Sequence, residues 1–102
     1  MSAQVILKKE NYCQIKLDSG ERILVSLSSS DVKVFKLGFG GLLPTKTLLS
    51  MSSIKAAIFL EENGQELKYG ILEAFIKLCL TSNSINDLLT RFARWIRTAG
   101  SA

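Results

Sequence analysis

Within LSMSSIKAAI, residues 49–58, the spacing of the apolar residues changes from every second position to every third or fourth position. Alternation is the period of a half-buried β-strand, whereas the longer spacing is the period of an amphipathic helix. The chain before this stretch alternates in short segments, and the chain after it keeps the helical spacing almost to its end. The sequence therefore predicts an α+β fold, with a small β unit over residues 1–51 and a helical segment over residues 52–99.

Length and composition predict a single domain over residues 1–102, with residues 100–102 as a frayed tail. A chain of this size has enough residues for one hydrophobic core. Its hydrophobic fraction of 47% is high for so small a protein. We therefore expect some apolar surface to stay exposed in the monomer, where a partner or a second copy would cover it.

Five segments of the first half predict strands, because apolar and polar residues alternate or form short apolar runs. They are residues 5–7, 12–17, 22–28, 32–37 and 46–51. Turn residues separate them, for example Asp18-Ser19-Gly20-Glu21 between the second and the third. No connection is long enough for a parallel crossover, so we expect an antiparallel meander that forms a curled sheet or a small barrel.

The second half predicts two or three helices. Ser52 or Ser53 can cap the first one, which would end at Asn63-Gly64. An alternative interpretation is a hairpin at Asn63-Gly64 that pairs residues 58–60 with residues 67–69. The flanking residues are good helix formers, so we favour the helix.

The segment 66–80 predicts a central, largely covered helix and a candidate subunit interface. Its only polar stripe consists of Glu66, Gly70, Glu73 and Lys77. A last helix follows, because Ser84 and Asp87 resemble a capping box before an apolar periodic segment.

The residue inventory argues against catalysis. The chain has no histidine, which removes the commonest general base and metal ligand. Cys13 and Cys79 have no metal-binding spacing and are expected to be reduced and buried. Among the acids only Glu61, Glu62 and Glu66 cluster, where a solvated helix end is expected. We predict no enzyme activity, cofactor, metal or small-molecule substrate, unless another subunit completes a site.

Location follows from what the sequence does not contain. No segment has the roughly 18 consecutive apolar residues of a membrane span, and the N-terminus does not resemble a secretory signal. We expect a cytoplasmic protein. A basic amphipathic helix lying on a membrane surface is a less favoured alternative.

The glycine-rich stretch around Phe39 does not resemble a phosphate-binding loop, because no GK[ST] and no helix start follow it. Its simplest interpretation is a loop or bulge whose Phe39 packs into the core or contacts a partner.

Basic charge is the other functional signal, since the formal net charge is +4. Arg91, Arg94 and Arg97 recur along the last helix beside Trp95, and Lys33 and Lys36 flank Phe35. Such residues suit phosphate contacts and base stacking. The alternative is a solvated helix end, where the arginines complement the helix dipole and Asp87 pairs with Arg91.

Together these features predict a non-enzymatic binding or assembly module that acts through protein–protein contacts and self-associates. Its partner-binding candidates are Phe39, Phe75 and Ile76. The alternative function is a small basic nucleic-acid-binding regulator, and its candidate residues are Arg91, Arg94, Arg97, Trp95, Lys33 and Lys36.

Overall fold

The computed structural model describes residues 3–38 and 43–100, and the side chains among them up to Arg94. Five strands precede three helices, which confirms the predicted α+β fold. The strands are β1 (Gln4–Lys8), β2 (Tyr12–Lys16), β3 (Arg22–Leu27), β4 (Asp31–Gly38) and β5 (Leu43–Ser52). The helices are α1 (Ser53–Glu62), α2 (Ile71–Leu80) and α3 (Ile85–Gly100).

The sheet is an antiparallel meander with the strand order β1-β2-β3-β4-β5. This confirms the prediction drawn from the short connections. Because β1 and β5 stand at opposite ends of that order, the described strands form an open, curled sheet and not a closed barrel.

One face of the sheet, which we call the inner face, supplies a large part of the hydrophobic core. Alternate residues of the three central strands point into it and are fully buried: Cys13, Ile15, Ile23, Val25, Val32 and Val34. The same cluster contains the buried residues of all three helices. The helices therefore cover the inner face.

The edge strand β1 contains a bulge. Val5 lies opposite Ile15, whereas Leu7 lies opposite Gln14, so Ile6 is an extra residue without an opposing one. A bulge shifts the alternation by one residue. Val5 therefore shares the inner face with Ile15, while Leu7 lies on the other face.

The other edge strand, β5, is also irregular. Val34 lies opposite Leu49 but Phe35 lies opposite Thr47, and a second shift follows between Lys36 and Leu37. The pairing of β4 with β3 is regular throughout. The extra residues thus belong to β5, and β4 keeps strict alternation.

Helix α1 begins as the sequence predicts. The Ser52 side chain is its N-cap and accepts a hydrogen bond from the Lys55 N–H at 3.3 Å. The helix continues to Glu62 and ends at Asn63, so the alternative of an Asn-Gly hairpin is wrong. Inside the core, the Phe59 ring lies 5.8 Å from that of Phe75 and 5.6 Å from that of Phe92, measured between centroids.

Helix α2 begins five residues later than the predicted start at residue 66. Gly70 is its N-cap and has φ +99°, which lies outside the helical region and strongly favours glycine. The Gly70 N–H donates to the Leu67 carbonyl at 3.0 Å, as in a turn. The prediction of a continuous helix with Gly70 inside it was wrong, because the glycine ends a turn and starts the helix.

Helix α3 has three hydrogen bonds at its start. Ser84 Oγ accepts from the Asp87 N–H at 3.2 Å, as a capping box requires. The Asp87 carboxylate accepts from the Asn83 N–H, one residue earlier than in the usual box. The Ile85 N–H donates to Glu21 of the β2–β3 turn.

None of the described helices has the length and apolar character that a membrane span requires.

Candidate functional site

The face of the sheet opposite the helices, which we call the outer face, is one candidate surface. Its residues alternate with the core residues of the central strands, and the core cluster contains none of them. They are Tyr12, Gln14 and Lys16 of β2, Arg22, Leu24 and Ser26 of β3, and Lys33, Phe35 and Leu37 of β4.

The centre of the outer face is apolar. Leu24 lies directly opposite Phe35, and both side chains are half-buried. Leu37 is buried although it does not belong to the core cluster. Tyr12 and Leu7 are exposed nearby. A solvated sheet face is normally polar, so this apolar centre is a feature that folding of the core does not explain.

Basic residues surround that centre. Lys16 lies directly opposite Arg22, and like charges in this position destabilise a sheet. Lys33 is exposed on the same face. Asp31 lies two positions before Lys33 in β4 and therefore on the same face. Its carboxylate accepts a hydrogen bond from Ser28 Oγ at 2.6 Å.

Sequence reasoning missed Lys16 and Arg22, although a signal was present. Lys16 lies near the end of the second predicted strand, and Arg22 is the first residue of the third. The short turn at residues 18–21 brings these two positions together. Only the strand register shows that two cations face each other. The same holds for Lys36 and Lys46, which oppose each other where β4 pairs with β5.

The predicted pair Lys33 and Lys36 does not form one patch. Both side chains are exposed, but three positions in a regularly paired strand place them on opposite faces. Lys33 belongs to the outer face with Phe35. Lys36 lies toward Glu21, since its charge helps to lower the pKa of that carboxyl.

The predicted arginine stripe is only partly described. The Arg91 guanidinium donates to Thr81 Oγ1 at 2.9 Å and lies 4.0 Å from the Asp87 carboxylate, so it joins the start of α3 to the end of α2. Arg94 is exposed. Trp95 and Arg97 belong to α3, but their side chains lie outside the described residues.

The predicted partner-contact residues have different surroundings. Phe75 is fully buried and Ile76 is 5% exposed, and both belong to the core cluster. Their side chains contact neighbours within the chain, so other residues form the surface that a partner can reach. Phe39 lies outside the described residues.

Two large apolar side chains that are exposed to solvent lie together on helix α1. Ile54 is 76% and Ile58 49% exposed, and both lie on the solvent side of α1. Lys55, Glu61 and Glu62 are exposed on the same helix. We call these five residues the α1 surface. Sequence reasoning did not single out Ile54 or Ile58.

The two cysteines belong to the hydrophobic core. Cys13 and Cys79 are free and buried, as the sequence predicted. Burial raises the pKa of the Cys79 thiol to about 12, and burial also raises the pKa of Cys13. No group of three or more potential metal ligands occurs among the described residues.

The comparisons with known proteins give no further guidance, because no family model, curated protein or solved structure matches the chain. The candidate contact surfaces of the described residues are the outer face and the α1 surface. Both have the composition of contact surfaces, and neither brings together a nucleophile, a general base or a metal-ligand set among the described side chains.

Proposed function

We propose that this protein is a non-enzymatic cytoplasmic binding or assembly module that acts through protein–protein contacts and self-associates. The observation that supports it best is the exposure of Ile54 and Ile58, at 76% and 49%, one helical turn apart on α1. Removing apolar surface from water contributes roughly 25 cal/mol per Å². Two isoleucines on one helix face thus provide a driving force that the monomer does not use.

The outer face supports the same proposal. Its apolar centre, where Leu24 and Phe35 are half-buried, lies within a surface that also carries charged residues. An apolar centre with a polar surround is the usual anatomy of a protein interface. The chain would then present two contact surfaces, one on the sheet and one on α1.

Sedimentation equilibrium of the purified chain tests the proposal. We expect the weight-average mass to rise with concentration from about 1 to about 100 μM, the range in which modest interfaces associate. A constant monomer mass over that range would contradict self-association. The variant Phe35→Glu then reports on the outer face, with Lys9→Glu as a charge-changing control on an exposed loop residue.

A second function, nucleic-acid binding, is favoured by one specific observation. Lys16 of β2 and Arg22 of β3 lie opposite each other on the outer face. Lys33 and Phe35 lie on the same face of the next strand, β4. Cations on one face of a sheet can contact successive phosphates of a bound strand. The aromatic ring would supply a stacking surface for a base.

Fluorescence anisotropy with labelled single- and double-stranded nucleic acid at several salt concentrations tests this second function. We expect the log of the affinity to fall linearly with the log of the salt concentration, with a slope of about −2 to −3 for three phosphate contacts. Lys16→Glu with Lys33→Glu should abolish binding through the outer face. If binding is lost instead when the charges of Arg91 and Arg94 are reversed, the nucleic acid contacts helix α3.

A further inference from the structure

We infer that the α1 surface docks against the α1 surface of a second copy, with the two helices antiparallel. The inference gives the proposed self-association a defined interface and rests on that proposed function. A symmetric contact of this kind uses one patch twice, so the patch must be complementary to itself. The α1 surface meets that condition in both its apolar and its charged residues.

The charges of α1 oppose its own dipole. Lys55 is in the first turn and Glu61 and Glu62 are in the last, and the helix has no acid in its first turn and no base in its last. Cations at a helix N-terminus and anions at its C-terminus are unfavourable, because they repel the like partial charges of the helix dipole. Within the described part of the chain none of the three makes an ion pair.

An antiparallel second copy compensates that arrangement. Lys55 and Glu62 are seven residues apart, about 20° short of two full turns, so they lie on the same side of the helix. They are also about 10 Å apart along the axis, too far to pair within one helix. When two such helices run antiparallel with Ile58 near the symmetry axis, Lys55 of each copy faces Glu62 of the other.

The apolar residues fit the same arrangement. The exposed side of α1 carries residues at positions i, i+4 and i+7, namely Ile54, Ile58 and Glu61. The opposite side is buried and consists of Ala56, Phe59 and Leu60. Ile58 then meets Ile58 of the second copy. Ile54 meets the end of the facing helix, where the methylene groups of Glu61 and Glu62 offer apolar contact.

Charge reversal tests the interface by sedimentation equilibrium on the full chain. Lys55→Glu and Glu62→Lys should each weaken the dimer about tenfold or more, because symmetry repeats each contact and each reversal makes both repulsive. The double variant K55E/E62K restores opposite charges and should recover the affinity to within about threefold. Lys9→Glu is the matched control and should change nothing.

The apolar half of the interface has its own variant. Ile58→Ser should also weaken the dimer about tenfold or more, and its melting curve shows whether the monomer still folds. Dimerisation that is insensitive to all of these variants would overturn the inference and leave self-association intact. A wild-type chain that stays monomeric would overturn the inference and the self-association part of the proposed function together, whereas binding through the outer face would remain separately measurable.

Discussion

The Glu21 carboxylate accepts a hydrogen bond of 3.1 Å from the backbone N–H of Ile85, 64 residues further along the chain. Ile85 is the first residue of α3, and its N–H has no acceptor within the helix. An acid from the turn between β2 and β3 therefore caps the last helix and binds the sheet to the helical layer. Ser19 Oγ holds the same carboxylate oxygen at 2.7 Å.

Replacing Glu21 should change the pH dependence of stability. The Ser19 and Ile85 hydrogen bonds hold the pKa of Glu21 below its ordinary value of 4.5. The ionised group thus stabilises the fold above its unfolded-state pKa, and this contribution is lost as the pH falls through the lower folded-state pKa. We expect Glu21→Gln to cost about 1 kcal/mol at pH 7 and progressively less below pH 4.5.

Urea denaturation between pH 3 and pH 7, analysed with the linear extrapolation, measures this difference. Glu10→Gln is the control, because Glu10 is exposed and no hydrogen bond to its carboxylate occurs among the described residues. A cost for Glu21→Gln that is equal at pH 3 and pH 7 would exclude the charge of Glu21 as its cause.

Gly70 should not tolerate a side chain, and the cost should come from the backbone alone. Its φ of +99° and ψ of +172° belong to a region that is almost confined to glycine. A Cβ would meet no atom within 4 Å there. We expect Gly70→Ala to lower the free energy of unfolding by about 1–3 kcal/mol.

The matched control is Gly64→Ala, at φ +78° and also in open space. Left-handed helical geometry costs a residue with a side chain only about 1–2 kcal/mol, so this variant should be the milder of the two. Thermal melting of both proteins gives the comparison. A stabilising Gly70→Ala would mean that α2 extends toward residue 66 when the glycine is removed.

Phe75→Leu should act on stability and not selectively on association. The ring is fully buried and packs 5.8 Å from the Phe59 ring, measured between centroids. Shortening it leaves a small cavity, for which we expect a loss of about 1–3 kcal/mol. Calorimetry measures the loss. If the variant melts normally but no longer associates, Phe75 is a contact residue despite its burial.

Lys55→Glu should have opposite effects on the monomer and on the dimer. In the monomer the new acid lies in the first turn of α1, where it complements the helix dipole and should add about 0.3–1 kcal/mol. In the dimer it would face Glu62 of the second copy. Melting curves at about 1 μM and at about 100 μM should therefore shift in opposite directions relative to the wild type.

The native thiols should resist labelling. Cys79 is fully buried and its thiol has a pKa of about 12, so the reactive thiolate is almost absent at pH 8. We expect a thiol reagent to modify neither Cys13 nor Cys79 in the native chain within minutes, and both in denaturant. Fast modification of one cysteine in buffer would show that its part of the core opens readily.

Much of the fold could be predicted, because its signals are local. Alternation identifies Cys13, Ile15, Ile23 and Val25 as core residues, and Ser52 and Ser84 mark helix starts by the hydrogen bonds they offer. The start of α2 could not, since its apolar spacing continues through residues 66–70. What ends the pattern there is the backbone conformation of Gly70, which leaves no periodic signal.

The candidate surfaces were harder to predict, because they depend on pairing between distant segments. Lys33 and Lys36 are close in sequence yet lie on opposite faces, whereas Lys16 and Arg22 become neighbours only through strand register. Ile54 and Ile58 have the same helical spacing as core residues. Which side of α1 is covered depends on the packing of Phe59 and Leu60, not on the spacing.

The bulge at Ile6 limits how this chain can polymerise. A strand from another molecule pairs best with an edge whose residues alternate regularly between the two faces of the sheet. In β1 this alternation is broken, because Val5 and Leu7 lie on opposite faces with Ile6 between them. Apolar edge strands are otherwise templates for fibril growth. The irregular edge therefore carries three consecutive apolar residues, Val5, Ile6 and Leu7, without offering a regular template for the addition of another strand.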